Sequence, residues 1–261
     1  MMDKTTDETH NRTQNYQRET TATEKQITDR QYLYDLFETR PMDTDQLLIN
    51  LGLYMRSSAL TKILFLNEMY RMIKNQPGII VEFGSWWGQN LIVFENLRAI
   101  YEPWEQRRVI GFDTFEGYKS ISDKDIRSNT IKEGGYAVSE GYADYLRKLI
   151  DWHEKNSVSS NVNRVQLVQG NILETVPKFF KENKGIVIAL AYFDLALYEP
   201  SKIAFEAIRP HLLPESVIML DECNHKDFPG ETIAFKEVFA GTSFFVKKSE
   251  FMPGRTYFTM K

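Results

Sequence analysis

The stretch Ile79–Tyr118, IIVEFGSWWGQNLIVFENLRAIYEPWEQRRVIGFDTFEGY, decides how the chain folds. Ile79 to Phe83 reads as a buried strand. Gly84 and Gly88 turn the chain, and Val93, Leu97, Ile100 and Tyr101 follow at helical spacing until Pro103 stops the helix. A second apolar run, Val109 to Phe112, ends on Asp113. Strand, glycine turn, helix, strand and terminal acid form the first half of a doubly wound nucleotide-binding unit. The glycines admit a ligand close to the backbone and let the helix pack on the strand. The helix start offers free N–H groups, and the Asp113 carboxylate can take both hydroxyls of a ribose.

The spacing bears on which nucleotide fits. The turn reads Glu82-x-Gly84-x-x-x-Gly88, with an acid at its entry, instead of the three-glycine pattern that accepts a pyrophosphate. Glu82 repels a diphosphate and suits a cation, which points to S-adenosylmethionine, an adenosine cofactor with a positive centre and a free amine. The plainer alternative is an ordinary strand-to-helix connection; Asp113, at the fingerprint's distance, weighs against it.

Outward from this unit, 261 residues with 42% hydrophobic content suffice for one α/β domain with an extension. A net charge of −4 argues against a nucleic-acid partner, and the single cysteine, Cys223, rules out an internal disulfide framework. No apolar run reaches membrane-spanning length and no signal-peptide pattern is visible, so a cytoplasmic protein without a membrane partner is expected. Residues 1–30 are polar and read as a loosely ordered arm. Residues 31–75 carry helical stripes, Leu47, Leu48 and Leu51 and then Ala59, Ile63, Leu66, Tyr70 and Ile73, and read as a helical cap on the domain at 76–261. Between the two stripes Arg56 reads as a solvated charge or as a contact to the cofactor carboxylate. The polar stretch 119–138 reads as a lid or specificity loop. His153, near the end of the helix after it, reads as a polar or capping residue.

Strand and helix keep alternating to the end. Val165 to Val168 leads to Gly170-Asn171, a plausible edge of an adenine pocket, and Leu173 to Asn183 is helical. Ile186 to Phe193 ends at Asp194, a helix starts near Glu199-Pro200, and Val217 to Leu220 ends at Asp221-Glu222. Ser243 to Val246 and Thr256 to Thr259 form a closing antiparallel hairpin. The fold expected is a mostly parallel, Rossmann-like class I methyltransferase sheet with that hairpin, helices on both faces and an N-terminal helical extension. Asp113, Asp194, Asp221 and Glu222 all fall at the carboxyl ends of strands, where such sheets bind ligands. Crowded carboxylates need protons or a cation, and Asp194, Asp221 and Glu222 suit Mg²⁺, which could activate a substrate hydroxyl; the alternative is that they cap helices or pair with Lys and Arg.

The motifs VEFGSWWG, GFDTFEGY, GNILETVP, FDLALYEPSK and the strand-ending LDE resemble the macrocin O-methyltransferase family, which methylates sugar hydroxyls in antibiotics. The resemblance runs from about Leu47 to the C-terminus. It implies a cofactor site at Glu82, Gly84, Ser85, Gly88, Asn90, Asp113, Thr114, Phe115 and Asn171, and a Mg²⁺ site at Asp194, Asp221 and Glu222. It also implies a small-molecule sugar acceptor and a homodimer or larger homo-oligomer. One position departs. The family pattern carries an acid two residues after Asp194 as the proposed base, and this chain has Ala196. Either His225 replaces the base, or metal activation suffices, or the chain binds ligands without turning them over. An S-adenosylmethionine-dependent, Mg-assisted sugar O-methyltransferase with Asp194 and His225 at its catalytic centre is the reading carried forward; the alternatives are a silent binding protein and a metal-dependent enzyme for another acceptor.

Overall fold

The computed structural model describes residues 23–105, 107–128, 131–158 and 162–261; most of the expected arm lies outside them. Seven strands form one sheet: β1 (Ile79–Phe83), β2 (Val109–Asp113), β3 (Val165–Gln169), β4 (Ile188–Phe193), β5 (Leu212–Leu220), β6 (Phe244–Lys248) and β7 (Thr256–Met260). Their order is β3-β2-β1-β4-β5-β7-β6. Strands β1 to β5 run parallel, while β7 pairs antiparallel with both β5 and β6. The order reverses between β1 and β4, the switch point at which open α/β sheets form a ligand crevice.

Register makes that crevice chemically specific. Phe83 pairs with Phe112 and Phe193, and Phe193 pairs with Leu220. The next residues, Gly84, Asp113, Asp194 and Asp221, therefore emerge in one row along the sheet edge.

Each face of the sheet has its own core. Helices α6 (Ile172–Glu182), α7 (Tyr198–Ile208) and α8 (Pro229–Val238) pack on one side, where Phe83, Phe112 and Phe193 meet Val176, Phe205 and Phe235. On the other side α3 (Ser57–Ile73), α4 (Gln89–Tyr101) and α5 (Tyr142–Lys155) bring Phe65, Tyr70, Phe94 and Leu146 against Ile80, Leu190 and Tyr192. At the lower end of this core, Arg107 caps the end of α3 by donating to Ile73 O and Gln76 O and pairs with the Glu102 carboxylate.

Two elements differ from the sequence reading. Helix α8 occupies a stretch that carried no expected element; Pro229 sits in its first turn and Ala234, Phe235 and Val238 are buried at helical spacing. The last residues of the expected arm belong to α1 (Glu24–Glu38), which buries nothing. A reciprocal cap between Thr23 and Gln26 and the local Lys25–Asp29 pair favour that helix without tertiary contacts. A short helix, α2 (Thr44–Ile49), buries only Leu47.

Candidate active site

The β1–α4 turn is shaped by contact with β4. A Cβ on Gly84, at φ 88°, would lie 2.1 Å from the Asp194 carbonyl oxygen, so only glycine lets the two strand ends meet. The turn is held open by Asp113. One carboxylate oxygen accepts the Trp86 N–H at 2.7 Å and the other the Phe115 N–H at 2.6 Å. Both donors have left-handed backbones, at φ 48° and 61°, which costs a non-glycine residue about 1 kcal/mol. The backbone N–H groups of Ser85 and Thr114 also bear on this carboxylate, which lines the cavity.

Beneath the turn, Asn90 donates to Glu82 at 2.6 Å. Burial pushes the Glu82 carboxyl up to about 7, against the downward pull of Asn90 and Ser85. Its second oxygen and the Ser85 hydroxyl have no well-formed hydrogen bond among the described residues. A buried acceptor left in that state suits a cationic ligand beside it.

A cavity of about 500 Å³ opens beyond this row. Of the expected cofactor residues, Gly84, Ser85, Asn90, Asp113, Thr114 and Asn171 line it. Glu82, Gly88 and Phe115 stand behind the wall: Glu82 supports Asn90, and Phe115 packs in the core. Asn171 also caps α6 by accepting from Leu173 N–H. Tyr118, Lys119, Ser120 and Tyr136 bring the 119–138 loop into the wall, with Tyr118 and Tyr136 rings 5.3 Å apart. That loop is anchored. Asp125 accepts the first N–H of α7, from Tyr198, at 2.8 Å, and also binds Ser122. Gly230 closes over the contact; a Cβ there would be 2.2 Å from the Asp125 carboxylate.

Asp194, Asp221 and Glu222 all line the cavity. Asp194 is exposed to it although protein atoms surround the carboxyl, and this confinement together with the Asp221 charge raises its pKa well above the usual range. Asp221 is deeply buried, and Arg255 Nε lies 2.6 Å from its Oδ1 with Lys62 Nζ 3.7 Å from the same oxygen. Glu231, on α8, was absent from the sequence reading. It is fully buried and accepts N–H groups from Leu195 and Glu222, tying together the ends of β4 and β5. Lys62 and Arg255 were missed as well. Lys62 comes one residue before Ile63 of the α3 apolar stripe, and Arg255 sits in the hairpin beside Pro253-Gly254; neither position carries a motif.

Ala196 lines the cavity at φ 59°, and the Leu197 N–H reaches the Leu195 carbonyl at 2.6 Å, a tight three-residue turn. His225 lies outside the cavity wall. Its Nδ1 accepts from Asp227 N–H at 3.2 Å and Nε2 is 3.9 Å from Glu222, so its free lone pair is already used. Among the described residues no group of three His, Cys, Asp or Glu side chains is arranged to hold a metal ion. As they stand the three acids do not fit Mg²⁺, because Asp221 is neutralised by Arg255.

Comparison with solved structures supplies the family. The chain is 37% identical to the calicheamicin methyltransferase CalS11, covering 92% of this chain and 94% of that one, with a TM-score of 0.87. An apo structure of CalS11, described as a TDP-rhamnose 3'-O-methyltransferase of calicheamicin biosynthesis, matches at 34% identity over 94% and 97%, with a TM-score of 0.79. This chain belongs to the class I sugar O-methyltransferases. The O-methyltransferase NovP, 17% identical over 77% of this chain and 80% of its own with a TM-score of 0.57, shares the fold. No protein-family model matches the chain, and no curated protein is similar to it. Its methyl donor is S-adenosylmethionine, the cofactor of the methyltransferases it resembles. Among the described residues no helix is long and apolar enough to cross a membrane.

Proposed function

We propose that this enzyme methylates a hydroxyl of a sugar, most simply a deoxysugar carried on a nucleoside diphosphate, during assembly of a glycosylated natural product. The observation that carries the reading is the 37% identity to CalS11 across nearly the whole of both chains, joined to a cavity lined by Asp194 beside the Gly84 turn.

The cofactor supplies an electrophilic methyl carbon on a sulfonium. Asp113 and Asn171 would hold its nucleoside end, and the Glu82–Asn90 pair would neutralise its charged end. Asp194 then faces the acceptor side. Its carboxylate is the base: it would take the proton of the acceptor hydroxyl as that oxygen receives the methyl group that bound S-adenosylmethionine would supply, with S-adenosylhomocysteine as the leaving group. Glu231 holds Leu195 and Glu222 through their N–H groups, which pins Leu195, the residue joining Asp194 to Ala196, to the end of β5. Trp86, Tyr118 and Tyr136 offer aromatic faces to a sugar or base. The oligomer, the division into arm, cap and domain, and a cytoplasmic setting belong to the same reading.

Incubation with S-adenosylmethionine and TDP-rhamnose tests it. The expected result is S-adenosylhomocysteine release with a sugar nucleotide heavier by one CH₂. Binding of S-adenosylhomocysteine without turnover on any deoxysugar nucleotide, in wild type and in Ala196→Asp alike, would favour the silent binding protein.

A further inference from the structure

We propose that Arg255 and Lys62 supply, from the protein's own side chains, the positive charge that three crowded carboxylates require, so that methyl transfer runs without a divalent ion. The inference rests on the methyltransferase reading of the cavity and goes beyond it.

Three side chains from three elements converge on one oxygen of Asp221. Arg255 Nε is 2.6 Å from Asp221 Oδ1, off the line of a hydrogen bond, so the contact is an ion pair. The Tyr192 hydroxyl donates to the same oxygen at 3.0 Å. Lys62 Nζ donates to that hydroxyl at 2.5 Å, lies 3.7 Å from Oδ1 and sits over the Tyr192 ring. With these side chains seated, Oδ1 has little left to offer a metal, and a divalent ion approaching it meets two cations within a few ångströms.

The arrangement is built in. Lys62 comes from α3 and Arg255 from the turn between β6 and β7, and these two elements are tied where Glu68 of α3 accepts from Ser249 and from Glu250 N–H. Both cations line the cavity that Asp194 faces, and both oppose the rise in its pKa. Arg255 therefore acts through Asp221 as a positioning residue. Lys62 presents its ammonium group to the acceptor side, where negative charge grows on the oxygen as its proton leaves.

Two measurements on the full chain decide it. In the first, Mn²⁺ is titrated without acceptor and followed by electron paramagnetic resonance, with S-adenosylhomocysteine binding as the check on the cofactor site. No saturable Mn²⁺ site is expected in the wild type; a stoichiometric site would overturn the proposal whether or not an acceptor is known. In the second, turnover is measured after exhaustive chelation. It should stay within about twofold of the untreated enzyme and should not respond to added Mg²⁺; loss on chelation with recovery on Mg²⁺ would overturn the proposal. Lys62→Met should lower kcat by about 10²-fold with S-adenosylhomocysteine affinity unchanged. Arg255→Lys should keep most activity where Arg255→Met does not, and equal loss in both with unchanged melting behaviour would count against a charge role. If cofactor binds but no acceptor turns over, the acceptor reading fails while the Mn²⁺ titration still decides the metal question.

Discussion

Trp86 and Asp113 are 27 residues apart in sequence, yet the N–H of the first lies 2.7 Å from the carboxylate of the second. This contact ties the glycine turn to the end of the neighbouring strand, at the wall of the cavity. Asp113→Ala should lower S-adenosylhomocysteine affinity by about tenfold to a hundredfold, since hydrogen bonds to charged groups contribute roughly 1.5–3 kcal/mol each. Asp113→Asn, which keeps one acceptor oxygen, should lose less. Calorimetric titration of both variants checks the order.

The Glu82 carboxyl gives a pH dependence of defined sign. Its pKa is raised to about 7 in the fold, above the usual 4.5, so between those values the folded protein holds a proton that the unfolded chain has released. Its contribution to stability is therefore greatest at low pH and falls as pH rises from about 4.5 to about 7. A cationic cofactor prefers the ionised form, so affinity should climb through about pH 7 and level off above it. Glu82→Gln should flatten both profiles, read by thermal melts of the cofactor-free protein and by S-adenosylmethionine binding between pH 5.5 and pH 8.5. An unchanged binding profile in the variant would remove Glu82 from the site.

Asp194→Asn should bind S-adenosylhomocysteine normally and lose turnover by about 10²- to 10⁴-fold, the range of a general base. Comparable turnover by the variant, measured under saturating cofactor, would assign the proton to another group.

Ala196 occupies a left-handed position that aspartate tolerates better than alanine. Ala196 is also buried beside the acid cluster, so Ala196→Asp should fold with a loss of about 0.5–3 kcal/mol while raising turnover. Denaturant unfolding and the acceptor assay give the two readings; a variant that folds and gains nothing would show that the alanine turn already has its working form.

Glu231 separates charge from hydrogen bonding. Burial holds its carboxyl well above the usual pKa range, so losing the charge costs little, but Glu231→Gln keeps one acceptor oxygen for two N–H donors and should cost about 1–2 kcal/mol. Glu231→Ala leaves the Leu195 and Glu222 N–H groups without their acceptor and should cost about 2–4 kcal/mol. Urea unfolding distinguishes the two.

The strands and the row of acids at their ends were legible because they follow from local pattern. An apolar run closing on a glycine turn gives β1, one closing on an acid gives β2, β4 and β5, and pairing puts those ends level. Lys62 and Arg255 were not legible, since their meaning comes from pairing across 159 residues of chain to Asp221 in one case and across a hairpin in the other. Helix α8 was hidden by the polar segment before it, though Pro229 with Ala234, Phe235 and Val238 carried the pattern. His225 drew notice as a titratable residue near Asp221; only geometry showed that Asp227 takes its lone pair.

The Asp125 anchor has a consequence for anyone reshaping acceptor choice. The 119–138 loop, the start of α7 and the start of α8 meet at Asp125, Tyr198 and Gly230 with no space for an extra carbon. A loop borrowed from a relative will seat only if it brings an aspartate to that point and finds glycine opposite. Substrate scope in this scaffold is thus portable as a three-part joint, and a graft of the loop alone should unseat the helix that follows the catalytic strand.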